Sequence, residues 1–82
     1  MKYECFRKNN FLYIIEGDSD DSTLINLNEI SNIDKMVSIN DDDSTCYEVL
    51  IDLSHTQNRY IYRFEDKDEW LKFYDSVLKS LD

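Results

Sequence analysis

The fold of this chain is decided by its last segment, EDKDEWLKFYDSVLKSL, which spans residues 65–81. Apolar side chains recur there at the three- and four-residue spacing of an amphipathic helix, at Trp70, Phe73, Tyr74, Val77, Leu78 and Leu81. Asp66, with Glu69 three residues later, is an Asp variant of the capping box that starts a helix. The segment therefore predicts a helix over about residues 67–81, and its aromatic stripe, Trp70 included, predicts core packing.

The residues before this helix predict the sheet that it covers. Runs of β-branched and aromatic residues at 11–15, 23–27, 32–39, 46–53 and 59–64 are separated by turns rich in Asn, Asp and Ser, and a shorter candidate lies at 2–6. Residues 46–53 alternate most clearly, although Leu50 interrupts the outward polar set. We predict an α+β fold in which one antiparallel β-meander of about five strands, over about residues 2–64, packs against the C-terminal helix. The 82 residues are expected to form a single domain.

The charge of the chain restricts its partners. Eighteen acidic residues face nine basic ones, which gives a net charge of −9. This balance disfavours direct binding to nucleic acid or to an anionic membrane, since no basic stripe is available to displace counterions. A protein with a basic surface is instead attracted. The alternative is that the charge only keeps a small protein soluble.

Cysteine content and hydropathy predict the compartment. Cys5 and Cys46 are too few for a disulfide scaffold. The N-terminal residues contain no apolar run of signal-peptide length, and no segment approaches the length of a membrane-spanning helix. We therefore expect a cytoplasmic protein with two reduced thiols, with a disulfide between Cys5 and Cys46 as the alternative that their distance decides.

The sequence contains no catalytic constellation. His55 is the single histidine, and its neighbours Asp52 and Ser54 lie in the same hairpin, whereas a hydrolase triad converges from separate elements. A solvated turn histidine is the better interpretation. We expect no enzymatic activity and no cofactor.

Metal binding has only weak support in the sequence. Two cysteines and one scattered histidine do not make a zinc site. The segment from Asp18 to Glu29 carries acids at several calcium-loop positions, but Thr23 replaces the glycine of the sharp turn and the flanks are strand-like. We predict no metal site, with a loose cation site between acidic loops as the alternative.

The acidic residues fall into three clusters. Two lie in predicted loops and one lies at the start of the helix: Asp18, Asp20 and Asp21; Asp41, Asp42 and Asp43; Glu65, Asp66, Asp68 and Glu69. The loops at 17–22 and 40–45 are separated by two strand candidates, so we expect both at the same edge of the meander. Such clustered carboxylates can occupy the basic groove of a nucleic-acid enzyme by imitating the phosphate backbone. All of these residues except Asp66 form the predicted partner-binding set.

The sequence has three resemblances, and the first two support this interpretation. The segment LINLNEISNI at 24–33, followed by a meander and a Trp-bearing terminal helix, looks like small phage and prophage proteins. Small size and acidity resemble the anti-restriction and anti-CRISPR proteins of mobile elements, which implies inhibition of a host nuclease. The sheet-plus-helix order also loosely resembles pleckstrin-homology-like domains, but the basic lipid-binding loop of that fold is absent.

The expected function is that of a non-enzymatic acidic inhibitor, encoded by a phage or mobile element. It would bind a basic nucleic-acid-binding surface of a host defence enzyme, such as a CRISPR or restriction nuclease, as a monomer or a homodimer. The alternative is a structural or oligomerising module that pairs through an exposed sheet edge or through exposed apolar residues, with Leu50 and Ile61 as candidates.

Overall fold

A computed structural model of the protein describes residues 3–17, 21–54 and 58–81. In these residues the chain forms six strands and one C-terminal helix: β1 (Tyr3–Lys8), β2 (Phe11–Glu16), β3 (Ser22–Asn26), β4 (Ile30–Ile39), β5 (Thr45–Leu53), β6 (Arg59–Phe64) and α1 (Lys67–Ser80). A short 3₁₀ helix, Leu27–Glu29, connects β3 to β4. The predicted α+β class is confirmed. No helix in these ranges is long and apolar enough to cross a bilayer.

The strands form two antiparallel sheets, whereas the sequence predicted one meander of about five strands. The first sheet has the order β1-β2-β3 and the second has the order β4-β5-β6. The 3₁₀ helix explains the difference, because its two ends are bonded to different sheets. The backbone N–H of Leu27 donates to the carbonyl of Asn10 at 2.9 Å, and the carbonyl of Glu29 accepts from the N–H of Ser54 at 2.6 Å. The chain thus turns away from β3, and β4 pairs with β5.

Both sheets and the helix share one hydrophobic core. Its buried members are Leu12, Ile14, Ile25, Val49, Ile51, Tyr62, Phe64, Trp70, Phe73 and Val77. The Phe73 ring lies at the junction, with its centroid 5.2 Å from that of Tyr62 and 5.6 Å from that of Tyr3. Trp70 is buried as predicted, and its Nε1–H donates to the carbonyl of Glu48 at 2.9 Å.

The helix begins as predicted, and it buries Trp70, Phe73 and Val77 of the predicted stripe but not the whole stripe. The Asp66 side chain caps it by accepting the N–H of Asp68 at 2.9 Å. Leu78 and Leu81, which were predicted in the buried stripe, are 39% and 38% exposed, whereas Ser80 is buried. The reason is that α1 packs on β1 as well as on β5 and β6, so its buried face is shared between the two sheets. The Ser80 hydroxyl satisfies its hydrogen-bonding need by donating to the carbonyl of Ser76 at 2.8 Å.

Leu50 is also placed differently from the expectation. It is only 5% exposed, so it is not available to a partner. It lies on the central strand of the second sheet, opposite Asp34 on β4 and Ile61 on β6. A central strand has neighbours on both sides, which cover a side chain even on the outer face. Ile61 lies on an outer strand and is 44% exposed, as the alternative function requires.

Candidate acidic binding groove

A groove with a volume of about 1010 Å³ lies where the two sheets meet the N-terminal end of α1. The loop between β4 and β5 and the end of β6 form its walls, together with the first residues of the helix. The first sheet contributes Tyr3 and Glu16, which are paired in the register of β1 and β2. We call this surface the acidic groove because of its lining.

Carboxylates from three separate parts of the chain line the acidic groove. They are Glu16, Asp42, Glu65, Asp66 and Glu69. Arg63 is the one basic residue among the lining residues, and its Nε donates to Oε2 of Glu48 at 3.1 Å. Arg63 is thus paired with Glu48, and five carboxylates against this one guanidinium give the groove lining an excess of negative charge.

The loop at 40–45 is held in one conformation by its own hydrogen bonds. The Asp42 carboxylate accepts from the backbone N–H of Ser44 at 3.0 Å and from its hydroxyl at 2.5 Å. The N–H of Asn40 donates to the carbonyl of Ser44 at 2.8 Å and closes the loop. The hydrogen bonds from Ser44 lower the pKa of Asp42. Asp42 therefore stays ionised at neutral pH.

The acids at the start of α1 also stabilise the helix. Asp66 is the capping residue, and Asp68 and Glu69 lie in the first turn, where negative side chains complement the helix dipole. Glu65 is exposed and precedes the cap. Glu65 is therefore the one acid of the cluster 65–69 that neither caps the helix nor lies in its first turn.

The predicted partner-binding residues divide into three groups. Asp42, Glu65 and Glu69 line the acidic groove. Four exposed residues of the set lie outside its lining: Asp21, Asp41, Asp43 and Asp68. Asp18 and Asp20 fall outside the described residues.

Two of the lining acids were not in the predicted set. Asp66 was recognised only as the helix cap, and Glu16 was not singled out. The carbonyl of Asp21 accepts the N–H of Glu16 at 2.9 Å, so Glu16 lies at the base of the first acidic loop. Its position at the end of a strand, next to that loop, was the signal in the sequence that could have identified it.

The groups that suggested catalysis have other partners. The Asp52 carboxylate pairs with Arg59 Nε at 2.5 Å, and the Ser54 hydroxyl donates to the carbonyl of Glu29 at 3.1 Å. His55 lies outside the described residues. Burial raises the pKa of the Cys5 thiol to about 11, which keeps it protonated and unreactive at neutral pH.

Within the described ranges, no three His, Cys, Asp or Glu side chains are arranged to hold a metal ion. The ionised carboxylates of the acidic groove can bind ammonium or guanidinium groups.

Comparison with protein-family models, curated proteins and solved structures finds no match.

Proposed function

We propose that this protein is a non-enzymatic inhibitor that binds the basic nucleic-acid-binding surface of a host defence enzyme, such as a CRISPR or restriction nuclease. One observation carries the proposal: carboxylates from three separate parts of the chain line one groove. A phage or mobile element that needs to disable such an enzyme is the fitting source. The predicted acids outside the groove add to the field that steers the partner toward it.

The chemistry of the acidic groove supports a basic protein partner. A nuclease surface that holds DNA or RNA presents Lys and Arg side chains at the positions of successive phosphates. Glu65 and Asp42 come from different parts of the chain and both line the groove, and neither is in an ion pair among the described residues. Because the net charge of the chain is −9, the approach of a basic partner is favoured over a long range at low salt.

The test begins with capture of partners from nuclease-treated lysates of bacteria that encode CRISPR and restriction systems. The tagged protein is used at about 0.1 M and at about 0.5 M salt, since exposed charge pairs are screened at the higher concentration. A captured enzyme is then assayed for cleavage of its DNA target and for displacement of this protein by a duplex oligonucleotide. The proposal predicts capture at low salt, loss at high salt, inhibition of cleavage and competition with the duplex.

A pair of matched triple variants locates the contact. The groove variant carries Asp42→Asn, Glu65→Gln and Glu69→Gln. The control variant carries Asp41→Asn, Asp43→Asn and Asp68→Asn, which reduce the negative charge by the same three units outside the groove lining. We expect the groove variant to weaken binding about 10-fold or more and the control variant about 3-fold or less, because contacting charges are worth more than remote ones. Equal effects would show that net charge, rather than the groove, is recognised.

A further inference from the structure

Strand β4 forms an open edge of the second sheet. It is the longest strand, with ten residues from Ile30 to Ile39, and it pairs with β5. Among the strands of the described ranges, none pairs with its other side. A long edge strand presents unpaired backbone N–H and C=O groups that another strand can complete.

The strand carries no net charge, and three large apolar side chains near its C-terminal end are exposed. Met36, Val37 and Ile39 are 47%, 55% and 74% exposed. The two ionised residues of the strand, Asp34 and Lys35, have opposite charges. In a chain with a net charge of −9, this strand is therefore a neutral surface on which a second negative chain can approach.

The helix extends the apolar surface beside the edge. The Lys35 Nζ lies 4.6 Å from the ring centroid of Tyr74, so the Lys35 side chain reaches from β4 to this part of α1. Leu71 and Leu78 lie about one helical turn before and after Tyr74, and each is 39% exposed. We define the β4 strip as the strand Ile30–Ile39 together with these three helical residues.

We propose that the β4 strip binds a second copy of this chain, with the two β4 strands paired antiparallel about a two-fold axis. The pairing joins the two second sheets into one continuous sheet of six strands, and it satisfies the edge hydrogen bonds of both copies. This inference concerns a surface separate from the acidic groove and does not depend on the proposed function.

The charges on β4 restrict the register of the pairing. Directly opposite residues in an antiparallel pair lie on the same face of the sheet, and side chains alternate between the faces along a strand. A two-fold axis perpendicular to the sheet therefore passes through one residue position of β4, and not between two positions. An axis at Asp34 or Lys35 sets like charges directly opposite each other, which is destabilising. An axis at Met36 avoids this and sets Ile33 opposite Ile39 of the second copy. We therefore place the axis at Met36 or at the adjacent apolar residue.

The antiparallel arrangement also separates the acidic loops. The loop at 40–45 follows β4 directly, so the two loops lie at opposite ends of the joined sheet. With the axis at Met36, Asn40 of one copy lies eight residues along the strand direction from Asn40 of the other, or about 27 Å. That distance exceeds the Debye length of about 8 Å at physiological salt, so the repulsion between the loops is screened.

The dimer is tested by sedimentation velocity of the full chain at about 10 to 500 µM, a range over which a dimer with a Kd on the order of 100 µM changes from a minor to a major species. We expect a concentration-dependent dimer that becomes tighter when salt is raised from about 0.1 to about 0.5 M, because salt screens repulsion between two acidic chains. Binding through the acidic groove has the opposite salt dependence, so failure of one proposal is distinguished from failure of the other.

Two variants identify the edge. Val37→Lys places a charge on the β4 strip and should raise the dimer Kd about 10-fold or more. Leu24→Lys is the matched control, because Leu24 is 49% exposed on β3, at an edge of the first sheet, and should change the Kd about 2-fold or less. Both sites are exposed, and circular dichroism verifies that the variants fold. A monomer at every concentration, or a dimer weakened by Leu24→Lys but not by Val37→Lys, would overturn the proposal.

Discussion

Two adjacent residues of α1 test where the helix faces. The sequence pattern places both Val77 and Leu78 in the buried stripe, but the structure buries Val77 completely and leaves Leu78 39% exposed. Each is changed to Ala in a separate variant. We expect Val77→Ala to lower the stability more than Leu78→Ala does, although it removes fewer carbon atoms.

The magnitudes follow from burial. Val77→Ala removes two carbons, worth about 0.8 kcal/mol each when buried, and leaves a small cavity. The better helix propensity of Ala offsets a few tenths of a kcal/mol, so the free energy of unfolding should fall by about 2 kcal/mol. Leu78→Ala removes three carbons from a site that opens to solvent, so no closed cavity forms and the loss should be about 0.5 to 1 kcal/mol.

Urea denaturation measures both changes. Trp70 is the single tryptophan and is buried, so its fluorescence reports the loss of tertiary packing, and circular dichroism reports the helix. The total stability of a chain this long is about 4 to 12 kcal/mol, so a loss of about 2 kcal/mol is well resolved. Protein at low micromolar concentration keeps dimerisation out of the measurement. If Leu78→Ala cost as much as Val77→Ala, the helix would bury the face predicted by the sequence, and the packing described above would be wrong.

Two further predictions concern the sheets and the buried titratable groups. Asn9 has a φ of 57°, so Asn9→Ala should cost about 1 kcal/mol and Asn9→Gly less than about 0.5 kcal/mol in the same urea assay; equal losses would show that the left-handed backbone is not the cause. Burial raises the pKa of Tyr62 to about 12 and that of Cys5 to about 11, from ordinary values of 10.0 and 9.0. The folded protein therefore holds these protons more tightly than the unfolded chain does. The contribution of the two groups to the free energy of unfolding should be fully present below about pH 9 and should be lost as the pH rises toward 12. Cys5→Ser should flatten the part of the decline between about pH 9 and 11, whereas a urea midpoint that stays constant to pH 11 would contradict the assignment.

The acidic groove was only partly predictable from the sequence. Charge clusters are visible in the chain, and Asp42, Glu65 and Glu69 were selected because they belong to such clusters. Glu16 stands next to the first acidic loop in the sequence, but it lines the groove because β2 ends beside Tyr3, where the first sheet meets the second. The sequence shows that Glu16 is near other acids, whereas its place in the groove depends on the packing of the two sheets.

The elements of this protein are determined by local sequence. The spacing of Trp70, Phe73 and Val77 determines a helix, the carboxylate of Asp66 determines where it begins, and alternation determines which residues of β5 point inward, because these effects act within a few residues. Tertiary structure decided the rest. Opposite ends of the 3₁₀ helix at Leu27–Glu29 are bonded to the β1–β2 turn and to the residue after β5. The strands form two sheets, with β4 at an edge of the second, and α1 packs against both sheets. Those outcomes depend on contacts between residues far apart in the chain, which no local pattern specifies.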